Sequence, residues 1–477
     1  VSKHADSAGR STGERDSGGL GTGALTASTV ANIGPGIDFY FAFGVIAVTA
    51  GVAAPLTILA AAVAVLLLAF VVAEFTKAEP SAGSFITYVE TSLGATAGVL
   101  TAVLVAVGYT VAIAGVFTMS GGMVSLTVAH YSSLNLPWEP LTLGLTAGAI
   151  WLTARGVTLS TTAVGVAVLV QVTIMLLVCA IVLVDRRAHL SSVPFSWSHL
   201  SGGLGGLSAG FPLALYMFIG WENGAALAEE CREPKRTVPR ALFISVAIAA
   251  ALFVFFAFAT VTGFHYDVTS IGRSSVPFLA VADRYLGGAA ILAWLAGIIS
   301  VLATLVAAAN SQARMLFDGG RSGLLPAYLG RVRAPGNTPF NALLAMAGAG
   351  LAIVAVWWVF HLSGLDKGST NPVGLYAECS TMGTILILFV YALTMLALPL
   401  FMWRRHRASF SVTRHVLVPA LGATTLIVPF IELFKPGQPA PYGEFPYIGL
   451  TVLALAAATA CVTVRRHPSA GAGEGAR

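Results

Sequence analysis

Between Val164 and Val184 only Gln171 and Thr173 are polar, and Pro55 to Ala73 is almost as uniformly apolar. A run of about 20 apolar residues has the length of a membrane-spanning helix. Charged residues make up 10% of the 477, and hydrophobic ones 56%. An average soluble domain is roughly 25% charged. A water-soluble globule of this size could not be covered by so few polar side chains, which excludes a cytosolic enzyme, a secreted domain and a disordered chain. A transmembrane barrel would show alternating segments of about 10 residues. The runs here are continuous, so the expected fold is an all-α integral membrane protein.

The hydropathy pattern predicts twelve spans, at residues 25–50, 55–76, 95–125, 140–158, 160–184, 204–230, 239–263, 287–319, 338–361, 373–402, 414–433 and 446–464. Ser274 to Leu286 reads as a short amphipathic segment lying on the membrane surface. Residues 1–24 and 467–477 are rich in Gly, Ser and charge and read as flexible tails, the first without the apolar core of a signal peptide. Alternating the loops between two sides places 20 of the 26 Lys and Arg on the side of the amino terminus and 6 on the other. Positive charge is retained in the cytoplasm. The expected protein is therefore multi-pass in the cytoplasmic membrane, with both termini cytoplasmic. The net charge of +5 is then a topology signal and calls for no nucleic acid. Cys179, Cys231, Cys379 and Cys461 are scattered without a CxxC pair, so neither a metal site nor a disulfide framework is expected.

Two spans are interrupted. The first contains Asn32-Ile33-Gly34-Pro35-Gly36-Ile37-Asp38, and the sixth Phe218-Ile219-Gly220-Trp221-Glu222-Asn223-Gly224. Gly and Pro inside a span break its hydrogen-bond ladder. Irregular backbone at that depth is tolerated only against protein or a watery cavity. A packing kink is the plain reading of either break alone. Together they lie five spans apart in helices running in opposite directions. This suggests inverted five-helix repeats with a substrate site at the breaks, where open half-helix ends offer free N–H and C=O groups.

At this point the sequence resembles permeases of the amino acid–polyamine–organocation superfamily. The resemblance rests on Phe218-Ile219-Gly220-Trp221-Glu222, then Ala228-Glu229-Glu230, Glu233-Pro234-Lys235-Arg236 and Pro239-Arg240. Glu79-Pro80-Ser81-Ala82-Gly83-Ser84-Phe85 with Tyr88 also fits, as do Ser311, Arg314, Arg321, Gly323-Leu324-Leu325-Pro326 and Thr338-Pro339. The order of these pieces is specific to the superfamily and not to a substrate. The resemblance implies two inverted five-helix repeats, about 25–184 and 204–402, forming a transport core over 25–402. Spans 11 and 12, within 403–466, lie outside it. It also implies a site between spans 1, 3, 6, 8 and 10.

Few ionisable residues fall inside spans. Asp38 and Glu222 sit near the middle of spans 1 and 6. Glu378 and Glu432 lie near the outer ends of spans 10 and 11, and Glu74 near the inner end of span 2. A charge at the bilayer centre costs roughly 2.5–3.5 kcal/mol on insertion scales, so such residues mark function. Glu222 can load and release a proton, or cap the broken helix by accepting backbone N–H bonds, and the two roles are compatible. Asp38 departs from the apolar residue that the resemblance leads one to expect. It suits a substrate ammonium group, or a cap at the start of the outer half-helix. Gln171 stands where some proton-coupled relatives carry a Lys, so a lysine-based route is unsupported. Facing a neighbouring helix is the common role of such a Gln. Pro35 removes a backbone donor from the stretch that, by resemblance, binds a substrate carboxylate. The expected substrate-binding residues are Ile33, Gly34, Pro35, Gly36, Ile37, Asp38, Tyr109, Phe218, Ile219, Gly220 and Trp221, with Glu222 and Asp38 coupling protons. Aromatic faces such as Trp221 attract ammonium groups.

Other function classes fit less well. Gly9–Gly13 and Gly206–Gly210 match GxSxG, but neither has the strand–turn–helix setting of a nucleophile elbow. No HExxH or P-loop occurs, and no repeated filter suggests a channel. The expectation is a secondary permease for amino acids or related amines, working by alternating access with proton symport or exchange. An amine transporter or exchanger without carboxylate recognition, of the polyamine or ethanolamine type, is the alternative. Its partners would be substrate, protons and lipid. No cofactor and no enzymatic activity are expected.

Overall fold

The computed structural model describes residues 19–81, 83–154, 161–332, 339–359, 371–436 and 441–466. Ala82, Thr338 and most of both predicted tails lie outside them. The described residues are helical, and the sole β-pairing among them is an isolated bridge between Leu20 and Cys231.

The first predicted span is two helices, α1 (Thr22–Ile33) and α2 (Pro35–Ala50). A turn at Gly51 leads into α3 (Ala54–Ala78). Between predicted spans 2 and 3 lies a short helix, α4 (Ser84–Leu93), which buries Phe85, Tyr88 and Val89. Next come α5 (Ala95–Tyr131), α6 (Trp138–Ala154) and α7 (Thr161–Asp185). Span 6 is α8 (Leu204–Tyr216), a run of turns, and the single turn α9 (Asn223–Ala226). The remaining helices are α10 (Pro234–Gly263), α11 (Val268–Gly272), α12 (Pro277–Leu286), α13 (Ile291–Arg321), α14 (Phe340–Val359), α15 (Pro372–Arg405), α16 (Val418–Glu432) and α17 (Phe445–Arg466).

Nine stretches among the described residues are long and apolar enough to cross a membrane, and the first of them, Thr22–Ala78, includes the turn at Gly51. Their outward faces are apolar too. On α7, Leu169, Leu177 and Val184 are exposed, while Met175, Val178, Cys179 and Val182 are buried. Water would make that outer face costly, at about 25 cal/mol per Å² of apolar surface. Lipid removes the cost, and the protein is a multi-pass membrane protein.

Backbone and side-chain contacts gather the helix ends into two faces. On one, Leu20 N–H donates to Glu230 O (2.8 Å) and Arg314 lies 3.7 Å from Glu230. Arg405 and His406 meet Glu79 at 3.4 and 3.1 Å. Buried His415 meets Glu74 at 3.1 Å, and Lys77 holds the other carboxylate oxygen of Glu74 at 2.6 Å. On the opposite face, Ser201 N–H donates to Ala50 O (3.1 Å) and His130 lies 3.3 Å from Asp283. Trp294 Nε1–H also donates to Asp283 (3.1 Å).

The segment read as lying on the membrane surface behaves differently. Within it, α12 buries Phe278, Leu279, Val281 and Ala282. Phe278 packs edge-on against Phe39 and Tyr40 at 5.7 and 5.3 Å. Its apolar face therefore meets protein, which a hydropathy pattern cannot distinguish from lipid.

Candidate functional site

Gly34 closes α1 and opens α2. Its φ of 69° and ψ of 57° put it in the left-handed region, and its N–H bonds Val30 O. Glycine takes this conformation without steric cost. Pro35 follows at the first position of α2, where a helix has no use for the missing N–H. Ile37 N–H is held by Ser300 Oγ of α13 at 2.7 Å. Thr304, one turn further along α13, lies against Gly34: a Cβ on Gly34 would stand 2.7 Å from its hydroxyl. A Cβ on Gly36 would meet Gln171 Oε1 at 2.7 Å. Gln171 therefore faces the break in span 1, and its buried carboxamide has no protein hydrogen-bond partner.

Ser300→Ala is expected to release the Ile37 N–H and to lower stability by about 1 kcal/mol, as for the loss of a helix cap. Thermal unfolding in detergent would measure it, and an unchanged midpoint would show that Ser300 does not hold the break.

Span 6 meets span 1 at Gly220. Its φ is 106°, and a Cβ there would lie 2.6 Å from Asn32 O and 3.1 Å from Ile33 N. The two breaks are thus in direct backbone contact. Asn32 is held in turn by Ser311 Oγ–H of α13 at 2.9 Å.

Glu222 follows the break and is buried. One carboxylate oxygen accepts from Gly220 N–H at 3.1 Å. The other accepts from the Tyr109 hydroxyl of α5. Trp221 is fully buried and donates its indole N–H to Tyr391 of α15 at 3.3 Å. Phe85 of α4 packs on both, at 6.1 and 5.5 Å between ring centres. Phe218 turns toward α10 and packs edge-on to Phe253 at 5.3 Å. Ile219 is half-buried, and Ile33 and Ile37 are buried beside the span 1 break.

Asp38 lies in the first turn of α2 and is buried. Tyr376 of α15 donates to it at 2.8 Å. The two carboxyl groups beside the breaks thus have separate partners, Tyr376 for Asp38 and Tyr109 with Gly220 for Glu222. The other intramembrane acids are paired away from the breaks. Glu378 accepts from Trp357 Nε1–H at 2.6 Å, and Glu432 meets Lys435 at 2.6 Å. Among the described residues no cluster of His, Cys, Asp and Glu could hold a metal ion.

Sequence reasoning does not single out Ser300, Thr304, Tyr376 or Tyr391. The only local signal is the i, i+4 spacing of Ser300 and Thr304 in an apolar helix, which puts both on one face. The tyrosines carry none. They reach the site because α5 and α15 approach closely, with a Cβ on Gly383 standing 2.8 Å from Gly108 O. Small residues permit such packing between membrane helices.

Comparison with known proteins agrees with this architecture. Residues 19–456 match the family described as amino acid permease. The branched-chain amino acid permease BcaP of Bacillus subtilis (strain 168) is 26% identical over 396 residues, covering 77% of this chain and 76% of that protein. The methylthioribose transporter of the same organism is 25% identical over 423 residues, covering 82% and 83%. The Asc-type amino acid transporter 1 of Homo sapiens is 25% identical over 224 residues, covering 46% and 38%. These relatives are transporters and not enzymes. A match that runs through both broken spans and almost every described helix leads to one conclusion: the chain belongs to the amino acid permease family.

Proposed function

We propose that the protein carries an amino acid or related amine across the cytoplasmic membrane by alternating access, coupled to protons in symport or exchange. The observation that carries this reading is the backbone contact between Gly220 and Asn32. It joins two broken helices and leaves a buried carboxyl group beside each break. In this reading the substrate lies against Ile33 to Asp38, Tyr109 and Phe218 to Trp221. Glu222 takes up and releases the proton, with Asp38 as a second carboxyl group. The transport core is 25–402, built of inverted repeats, and 403–466 adds spans 11 and 12. The excess of basic residues on the face of Arg314 and Arg405 makes that face, and both termini, cytoplasmic.

The relatives' names cover branched-chain amino acids and a thiosugar, so the substrate has to be argued from the site. Pro35 has no N–H, and Ser300 occupies that of Ile37. Few donors remain for a substrate carboxylate, whereas Asp38 can receive an ammonium group. This favours the second reading, an amine carrier that does not recognise a carboxylate.

Uptake into proteoliposomes would test both readings, using putrescine, arginine, a neutral amino acid and glutamate, with and without an inward proton gradient. Selective uptake of putrescine or arginine is expected if Asp38 is an amine trap. A preference for neutral amino acids would show that the carboxylate is held despite Pro35. Asp38→Asn should weaken cationic substrates by about tenfold or more, in line with the loss of a hydrogen-bonded charge pair. Equal loss for every substrate would return Asp38 to a helix-capping role.

A further inference from the structure

Tyr376 donates its hydroxyl to Asp38 at 2.8 Å, and both side chains are buried. The phenol is fixed in place by Tyr216 and Phe41, which pack edge-on to it at 5.8 and 5.5 Å. Tyr391 lies 15 residues further along α15, about 22 Å at 1.5 Å per residue, and receives the Trp221 indole N–H. One helix therefore ties both broken spans. Tyr376 holds the half of span 1 that follows its break, and Tyr391 holds the segment of span 6 that follows its own.

The chemistry of the upper tie is competitive. A carboxylate inside the protein needs donors. A phenol offers one neutral O–H, whereas an ammonium group offers three N–H donors and a positive charge. An ammonium group reaching Asp38 would take the place of the phenol.

We propose that Tyr376 is a specificity-determining residue: its hydroxyl occupies Asp38 in place of a substrate ammonium group and holds the outer path closed until that group displaces it. This rests on the breaks being the substrate site. It adds a requirement for ammonium at the entry step, whatever else the substrate carries.

The test compares wild type, Tyr376→Phe, Asp38→Asn and the double variant in proteoliposomes. Leucine, arginine and putrescine are the probes, and 4-methylpentanoate, which is leucine's skeleton without its ammonium group, is the competitor. A second readout needs no substrate. Cys379 is buried one turn along α15 from Tyr376, and its modification by a membrane-impermeant thiol reagent added outside is followed by mass. Tyr376→Phe is expected to lower the KM of a transported ammonium compound about tenfold, the scale of one hydrogen bond to a charge. It should let 4-methylpentanoate, a weak competitor in the wild type, compete more strongly, because entry no longer requires an ammonium group, and speed modification of Cys379 several-fold. In the Asp38→Asn background it should leave KM unchanged. A KM that does not fall, with Cys379 modified at the wild-type rate, would overturn the proposal and make Tyr376 a packing contact. If wild type carries none of the three probes, the transport reading fails by itself. Cys379 still decides the gate: faster modification retains it and an unchanged rate overturns it.

Discussion

Glu222→Gln is expected to cut proton-driven uptake at least tenfold and to flatten its dependence on pH, while the folded yield stays at the wild-type level. The geometry separates the two effects. Glu222 accepts from Gly220 N–H at 3.1 Å and from the Tyr109 hydroxyl. Glutamine has the same shape. Its carbonyl oxygen can keep the Gly220 bond, and its NH2 can donate to the Tyr109 oxygen, because a hydroxyl accepts as well as donates. Both contacts can be rebuilt, the second with its donor reversed, so the loss of stability is small beside the loss of a buried carboxylate's bonds. The ability to bind and release a proton is lost entirely. Uptake at fixed substrate and several pH values, with thermal unfolding as the check on folding, measures the two consequences independently. A well-folded variant with the wild-type pH response would remove Glu222 from coupling and leave it as a cap.

Gly220→Ala is expected to have the largest structural effect. A φ of 106° is outside what an alanine adopts comfortably, and the added Cβ would lie 2.6 Å from Asn32 O, which is backbone and cannot rotate away. The left-handed conformation alone costs roughly 1–2 kcal/mol. Forcing the two breaks apart raises the total to about 3 kcal/mol or more, the range of core overpacking and backbone strain combined. Transport should be lost along with stability, since the same contact joins the two halves of the site. Gly203→Ala separates the causes. Gly203 has a φ of 57° but open space around its Cβ position, so it should show only the conformational cost. Equal midpoints of unfolding for the two variants would mean that the close approach of spans 1 and 6 contributes nothing.

Much of this architecture could be read from the chain because it is local. A break is written in consecutive residues, as in Gly34-Pro35-Gly36 and Gly220-Trp221-Glu222. A membrane span is a run of apolar side chains, and most predicted ends fall within a few residues of the helices observed. The miss at α4 is instructive. Its ten residues, Ser84–Leu93, mix polar and apolar side chains and are too short to register as a span, so they pass for a loop. Yet α4 carries Phe85 to the underside of Trp221 and Tyr391. The apolar face of α12 turns to protein, which the sequence could not show for a related reason, since an apolar face reads the same whether lipid or protein covers it.

What the sequence by itself determined is therefore the membrane fold, the two interrupted spans and the two carboxyl groups beside them. Only the tertiary structure decided what those groups touch. Asp38 and Tyr376 are 338 residues apart, Ile37 and Ser300 263, and Trp221 and Tyr391 170. In a soluble protein, the polar stripe of each helix would reveal which face turns inward. Here the lipid-facing and protein-facing sides of a helix are both apolar, so hydropathy does not fix its rotation about its own axis. That rotation, set by close packing such as Gly383 against Gly108, brings Tyr109, Tyr376 and Tyr391 to the breaks.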